Sequence, residues 1–215
     1  MLMEIRAVEP FFKNGFVLGC EETREAVLVD PGDEVAQLLA IVEQQLLKIR
    51  HILLTHAHID HITGVGAAQK ALQAPVYLHR EDLFLYDNIV EMGAMFGIKA
   101  EPAPPVDVFY APGQVIAFGA YEAVPHHTPG HCPGGVCLEI RRKGTPGKDL
   151  VVGDTLFAGS IGRTDLPGGD LETLLASIQG VLFPFGDDAR VYPGHGPATT
   201  IGQERRTNPF LQDLV

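Results

Sequence analysis

The chain has 215 residues, of which 46% are hydrophobic, and a formal net charge of −11, so it is long and apolar enough to bury a substantial core. The negative charge repels polyanions and anionic lipid surfaces, and we therefore expect neither nucleic acid nor a membrane as a partner. No apolar run reaches the roughly 18 residues that span a bilayer, and charged residues interrupt the N-terminus where a signal peptide needs an apolar core, so we expect a cytoplasmic protein.

The first half of the chain alternates predicted strands and helices. The run EAVLVDPGD predicts a strand that stops at Pro31, after which Asp33 can cap a helix. Apolar residues at helical spacing extend that helix: Val35, Leu38, Leu39, Val42 and Leu46. The runs IRHILLT and APVYLHR predict two more strands, with a helix between them that starts near Thr63. A further helix is predicted over 81–97 before a Pro-rich loop, and its large apolar residues are expected in the core rather than in a pocket wall: Phe84, Met92, Met95 and Phe96.

The second half is richer in strands. QVIAFG, YEAVPHH and the two β segments of GGVCLEIRRKGTPGKDLVVGDTLF predict strands, the last two joined by a Gly/Pro turn. Asp170 can then cap a helix with one apolar face, made by Leu171, Leu174, Leu175, Ile178 and Leu182. A strand in ARVYPG and a short helix near Ile201 follow. Strands followed by a helix occur in each half, which predicts two similar α/β halves packed sheet against sheet in a single domain of residues 1–215.

One loop concentrates side chains that bind metals. The stretch LLTHAHIDHITG places His56, His58, Asp60 and His61 directly after an apolar strand. Such a cluster arises by chance in about one of a thousand chains of this composition. A solvated polar loop is the alternative, but the carboxyl end of a strand is where α/β folds commonly bind ligands. We therefore predict a metal site here.

Three further segments place a histidine or an aspartate just past a predicted strand. They are HHTPGHCPGG with His131, LVVGDTLF with Asp154 and VYPGHGP with His195. If the four loops meet on one rim, five histidines and two aspartates surround a single cavity. Imidazole and carboxylate suit Zn²⁺, Fe or Mn, and seven ligands exceed the need of one tetrahedral ion. Two metal ions about 3.5 to 4 Å apart would use all seven.

These strings together resemble a known family. His-x-His-x-Asp-His, His-Thr-Pro-Gly-His, Gly-Asp-Thr-Leu-Phe and Pro-Gly-His-Gly, in this order, are similar to the motifs of the metallo-β-lactamase superfamily, and within it to short, single-domain hydrolases of the glyoxalase II type. The resemblance implies an αββα sandwich, an α/β fold in four layers, with the site where the two sheets meet. It also implies two divalent metal ions, zinc first and Fe or Mn as alternatives, with ligands assigned as follows: His56, His58 and His131 to the first ion, Asp60, His61 and His195 to the second, and Asp154 as the bridge.

The resemblance also implies a reaction. We predict hydrolysis of a small-molecule thioester such as S-D-lactoylglutathione by a metal-bridging hydroxide, with Asp60 and Asp154 as the catalytic carboxylates. A thiol has a pKa near 8.5 and can leave as a thiolate without a dedicated general acid. Arg163 is the candidate contact for an anionic substrate, and a salt bridge to Asp165 or Asp170 is its alternative role.

Two other functional hypotheses remain open. The strings DHITG and GRTD also resemble the iron-dependent persulfide dioxygenases of the same superfamily, and a non-enzymatic metal-binding module is a third hypothesis. The remaining histidines, His51, His79, His126 and His127, fit no ligand motif and are predicted to be structural or surface residues. The cysteines are odd in number and form no Cys-x-x-Cys, so reduced thiols are expected, with Cys132 as a small turn residue beside His131.

Overall fold

The computed structural model describes residues 1–95 and 97–214. The chain divides into two compact units, Met1–Tyr110 with Ala117–Tyr121, and Ala111–Ile116 with Glu122–Val215. The single domain over residues 1–215 stays a prediction. Among the described residues, no helix has both the length and the apolar character needed to cross a bilayer.

Six strands form the first sheet, in the same order as in the chain. They are β1 (Leu2–Arg6), β2 (Gly15–Gly19), β3 (Glu25–Val29), β4 (Lys48–Leu53), β5 (Val76–Leu78) and β6 (Val108–Phe109). The pairs β1–β2 and β2–β3 are antiparallel, whereas β3, β4, β5 and β6 run parallel. The loops after these four parallel strands therefore leave the sheet at one edge, and the histidine loop follows β4.

Five α-helices belong to the same unit: α1 (Val35–Gln44), α2 (Ile59–Ile62), α3 (Val65–Leu72), α4 (Leu83–Asp87) and α5 (Ile89–Met95). The predicted cap of α1 is wrong, because Glu34 occupies the N-cap position and makes no side-chain cap bond. Asp33 instead accepts a hydrogen bond from the Thr63 hydroxyl at 2.8 Å. The helix is also shorter than predicted: Leu46 lies beyond its end with a left-handed φ of 53° and is 78% exposed.

The helix predicted over 81–97 is two helices, since α4 ends at Asp87 and α5 starts at Ile89. The prediction that its large apolar residues lie in the core is wrong for Phe84 and Met95, which are 45% and 82% exposed. Met92 is half-buried. Phe96 lies outside the described residues. Phe84 and Met95 project from short helices whose buried positions are taken by other residues, among them Ile89 and Gly93.

The second sheet has the strand order β14-β13-β10-β9-β8-β7. Its members are β7 (Ile116–Phe118), β8 (Tyr121–His127), β9 (Val136–Arg142), β10 (Asp149–Gly153), β13 (Arg190–Pro193) and β14 (Thr199–Thr200), and a separate hairpin is formed by β11 (Leu156–Phe157) and β12 (Ser160–Ile161). The neighbours β10 and β13 are parallel, with Leu150 opposite Val191. The residues that follow these two strands therefore leave the sheet at the same edge.

Two α-helices complete the second unit, α6 (Leu171–Ser177) and α7 (Ile201–Thr207). The predicted cap of α6 is confirmed, because the Asp170 carboxylate accepts a hydrogen bond from Thr173 N at 2.7 Å. Past α6 the chain continues as a π-helical turn over Ile178–Leu182. Leu174, Ile178 and Leu182 are fully buried in one apolar cluster, whereas Leu171 is exposed.

Candidate metal centre

Four predicted ligands lie together in the first unit. Between the end of β4 and α2 the chain carries His56 and His58, and α2 itself carries Asp60 and His61. The three histidines are buried. The His56 ring lies 4.0 Å from the His61 ring and 4.9 Å from the His58 ring, measured between centroids, and His61 Nε2 is 3.7 Å from Asp60 Oδ2. The sequence cluster thus becomes a spatial cluster.

A buried carboxylate orients two of these rings. Asp30 follows β3 and is fully buried, and its Oδ2 lies 2.9 Å from His61 Nδ1. The Thr55 hydroxyl donates its only hydrogen to the same Oδ2 at 2.6 Å, so it must act as acceptor toward His56 Nδ1 at 3.1 Å. Both rings therefore carry their proton on Nδ1, which leaves Nε2 as the nitrogen that can bind a metal.

Asp30 is a residue of the candidate site that the sequence analysis missed. It stands directly after an apolar strand, as Asp154 does, and that signal would have found it. Its backbone is left-handed, with φ of 47°. Such a conformation is uncommon outside glycine and is held here by the contacts of the surrounding turn.

Three predicted ligands lie together in the second unit. His131 is in the loop between β8 and β9, Asp154 follows β10, and His195 comes two residues after β13. Asp154 Oδ2 lies 3.6 Å from the Nε2 atom of His131 and 3.6 Å from that of His195. Because β10 and β13 are parallel neighbours, Asp154 and His195 leave the sheet on the same side.

The His131 ring is held by the loop that follows β12. Its Nδ1 lies 2.7 Å from the backbone oxygen of Arg163 and donates to it, so that Nε2 faces Asp154. The preceding Gly162 allows this approach, since a Cβ there would lie 1.9 Å from the Asp154 carbonyl oxygen and 3.0 Å from His131 Nδ1. Any larger residue would push the loop away from both ligands.

The geometry and chemistry of each set suit a metal. Bonds of about 2.1 Å to a tetrahedral ion separate two ligand atoms by about 3.4 Å. The three Nε2–Oδ2 separations measured here are 3.6 to 3.7 Å, close to that spacing and long for a hydrogen bond. His56 and His58 also offer ligand atoms within 4.8 Å of each other. Histidine nitrogens with their tautomer set, next to carboxylates, form a fitting set for Zn²⁺, Fe or Mn.

Arg163 forms an ion pair. Its Nε and Nη2 atoms donate to the two carboxylate oxygens of Asp165, each at 2.7 Å. This hydrogen bonding raises the pKa of Arg163 and lowers the pKa of Asp165 to about 2. The side chains are 56% and 65% exposed, so the pair is accessible to a ligand. Of the two alternative partners predicted, Asp165 is the one observed, and a substrate contact stays a prediction.

The remaining histidines make hydrogen bonds of their own. His51 Nε2 lies 3.3 Å from Ala117 O, His126 Nε2 3.0 Å from Glu139 Oε2 and His127 Nε2 2.8 Å from Pro133 O, while His79 Nδ1 accepts from Glu81 N. The three cysteines are buried and form no disulfide within the described residues, as predicted.

Comparison with known proteins shows which family the chain resembles. The Metallo-beta-lactamase superfamily matches residues 8–195, a span that contains all seven predicted ligands. The chain is 36% identical over 213 residues to the hydroxyacylglutathione hydrolase GloC of Haemophilus influenzae, and the match covers 98% of each chain.

Two solved structures have the same fold. BLEG-1, described as a B3 metallo-beta-lactamase, superimposes with a TM-score of 0.89 at 37% identity, covering 98% of this chain and 100% of its own. TTHA1623, in a di-iron-bound form, gives a TM-score of 0.84 at 39% identity, covering 97% of this chain and 100% of its own. The predicted fold class, a mixed α/β fold with two sheets, is confirmed. The chain therefore belongs to the metallo-beta-lactamase superfamily, whose members are enzymes with a fold that holds divalent metal ions.

Proposed function

We propose that this protein is a metal-dependent hydrolase that cleaves a thioester such as S-D-lactoylglutathione. The observation that carries the proposal is the pair of preorganised ligand sets, in which the hydrogen bonds that Nδ1 donates leave the Nε2 atoms of His56, His61 and His131 available for ligation. The likeness to a hydroxyacylglutathione hydrolase over nearly the whole of both chains supports this choice of substrate class.

We assign the seven ligands to two divalent ions that draw on both sets. In this proposal three histidines would hold the first ion (His56, His58 and His131), three other residues would hold the second (Asp60, His61 and His195), and Asp154 would be a ligand of both. Such ions would supply a water molecule of lowered pKa and positive charge to stabilise an acyl oxygen. Zinc is our first choice, and the di-iron form of a similar protein makes iron the second.

The protein's own residues orient this chemistry. Asp30 holds the His61 ring and the Arg163 carbonyl holds the His131 ring, so neither of these rings has to rotate when an ion binds. Arg163 would bind a substrate carboxylate, because its guanidinium stands exposed on the loop whose backbone holds His131. The leaving thiolate needs no proton from an acidic side chain. A carboxylate-bearing thioester is therefore the substrate class that we propose.

The test is metal content and turnover measured on one preparation. We expect two metal ions per chain and release of glutathione from S-D-lactoylglutathione, followed with a thiol reagent. His58→Ala removes a proposed ligand. It should therefore lower the metal content, and it should lower the turnover rate by at least about 100-fold. His126→Ala is the matched control, because His126 pairs with Glu139 rather than with the ligand sets.

Two rival reactions are measured alongside. Hydrolysis of a chromogenic cephalosporin in place of the thioester would favour β-lactam cleavage, the activity named for BLEG-1. A single bound iron with oxygen uptake on glutathione persulfide would instead support a dioxygenase. Either result without thioester turnover would overturn the proposal.

A further inference from the structure

A buried ion pair lies beside the first ligand set. Lys13 Nζ is 2.5 Å from Glu34 Oε1, and each side chain is only 2% exposed. Lysine and glutamate are almost never buried this fully unless they are paired. A well-packed apolar pair of similar size often stabilises a fold as well as a buried ion pair does. Stability alone therefore does not explain why this buried ion pair is present.

Both partners also bind the turn that follows β3. Lys13 Nζ donates to the backbone oxygen of Asp30, and Glu34 Oε1 accepts from Gly32 N at 2.9 Å. The ion pair thus closes around residues 30–32 and holds the turn from both ends. Lys13 comes from the segment before β2 and Glu34 from the start of α1, so the closure joins two distant segments.

The enclosed turn is both strained and close to the ligands. Asp30 has a left-handed backbone. A Cβ on Gly32 would lie 2.0 Å from the Asp60 carbonyl oxygen and 2.9 Å from Lys13 Cε, so the turn is packed against α2 and against the lysine. The direction of the Asp30 carboxylate depends on this backbone, and that carboxylate contacts Thr55 and His61. A small rotation of the turn would change both contacts.

We propose that Lys13 and Glu34 are positioning residues for the metal ligands of the first unit. They fix the Asp30 turn, and Asp30 in turn keeps His61 and, through Thr55, His56 in the tautomer that presents Nε2. The inference rests on the proposed metal site. The tautomer itself exists without metal or substrate, so it can be tested even if the proposed reaction is wrong.

The decisive variant removes both charges. Lys13→Met alone leaves Glu34 buried without its cation beside Asp30, and loss of one partner from a buried pair is strongly destabilising. The double variant Lys13→Met/Glu34→Gln leaves no charge of the pair, and the amide oxygen introduced at position 34 can still accept the hydrogen bond from Gly32 N. It should fold, yet it lacks the hydrogen bond to the Asp30 carbonyl. The double variant therefore separates positioning from stability.

The first readout is the tautomer of His61 in metal-free protein, measured by long-range ¹H–¹⁵N NMR with ¹⁵N-labelled histidine and assigned with His61→Gln. We expect the wild type to carry the His61 proton on Nδ1 and the double variant to show a mixture of tautomers. The second readout is zinc affinity by competition with a chromophoric chelator, which we expect to weaken about ten-fold in the double variant, as when an outer-shell partner of a ligand is lost.

Two controls separate this effect from a general loss of stability. Leu150→Ala removes a fully buried side chain of the second unit and should destabilise the fold without changing the His61 tautomer. Lys148→Met removes an exposed lysine that pairs with Asp188. A double variant with the wild-type tautomer and wild-type zinc affinity would overturn the inference, whatever its thioester activity.

Discussion

At the level of single residues, hydrogen bonds to ring nitrogens decide how a histidine can bind a metal. His61 is held by the Asp30 carboxylate, His56 by the Thr55 hydroxyl and His131 by a backbone carbonyl, and in each case the contact is made at Nδ1. Three different acceptors therefore produce the same result, an Nε2 atom available for ligation. The acceptor of His131 is the backbone of Arg163, so that residue's side chain can be changed without losing the contact.

This separation of backbone and side chain makes Arg163 a sharp test of substrate recognition. We expect Arg163→Ala to raise KM for S-D-lactoylglutathione about ten-fold, the effect of losing one charge-assisted hydrogen bond at an exposed site. Metal content and kcat should stay near the wild-type values, since the carbonyl that holds His131 remains. Steady-state kinetics with metal analysis on the same sample checks both.

The matched control is Asp165→Ala, which removes the partner of Arg163 and leaves the guanidinium in place. Its KM should be equal to that of the wild type or lower, because Arg163 no longer has to exchange one carboxylate for another. An unchanged KM in Arg163→Ala would show that the arginine is only a surface ion pair.

At the level of elements, two features of the second sheet have consequences that can be tested. Parallel strands bring candidate ligands to one edge, and the neighbouring strand β9 carries a buried thiol. The parallel pair β10–β13 sets Asp154 and His195 at one edge. On the neighbouring β9, Cys137 is buried, and its Sγ lies 3.3 Å from the Thr128 hydroxyl and 3.6 Å from the Thr155 hydroxyl. Burial raises the pKa of Cys137 to about 11 from an ordinary value of 9.0.

This shift predicts how stability falls at alkaline pH. Below pH 9 the thiol is protonated in the folded and unfolded chains, and the full stability is present. Between about pH 9 and about pH 11 the unfolded chain ionises first, so wild-type stability should fall relative to Cys137→Val by up to about 3 kcal/mol. Urea unfolding of both proteins at pH 8, 9.5 and 10.5 measures the difference, in which the other titrating groups cancel. A constant difference across this range would contradict the prediction.

At the level of the whole molecule, the proposed metal ions bind the folded chain and should stabilise it. The ligands come from loops between His56 and His195, and an unfolded chain does not hold such residues together. Each ion present at 100 times its dissociation constant contributes about 2.7 kcal/mol, so the two proposed ions together contribute about 5 kcal/mol. For a chain of this length that corresponds to a Tm increase of about 10 to 20 °C.

We therefore expect removal of metal with a chelator to lower Tm by this amount in scanning calorimetry, and re-addition of zinc to restore it. Asp154→Asn, which weakens the proposed bridge, should show a smaller change on chelation, whereas His126→Ala should behave as the wild type. Equal Tm values with and without metal in the wild type would contradict the prediction. One calorimetric transition would also support the single domain predicted over residues 1–215.

The sequence by itself determined the seven candidate ligands, the family and most of the strands and helices, although it missed the strands β1, β2, β6, β11, β12 and β14. It could do so because apolar periodicity and strand-end motifs are local signals, and HAHIDH or HTPGH contain their chemistry within a few residues. Local signals failed where another segment supplies the partner. Asp33 binds the Thr63 hydroxyl instead of capping α1. Apolar character alone also failed to predict burial, since Met95 projects from α5 into solvent.

Only the tertiary structure decided how the ligands are held. Lys13 and Glu34 are 21 residues apart, and Asp30 meets His61 across 31 residues, so no spacing in the sequence pairs them. Their contacts exist because β3 and β4 lie side by side and the turn after β3 packs against α2. A buried charge is tolerated only when it has a partner. These partners are far apart in the sequence and meet only in the folded chain.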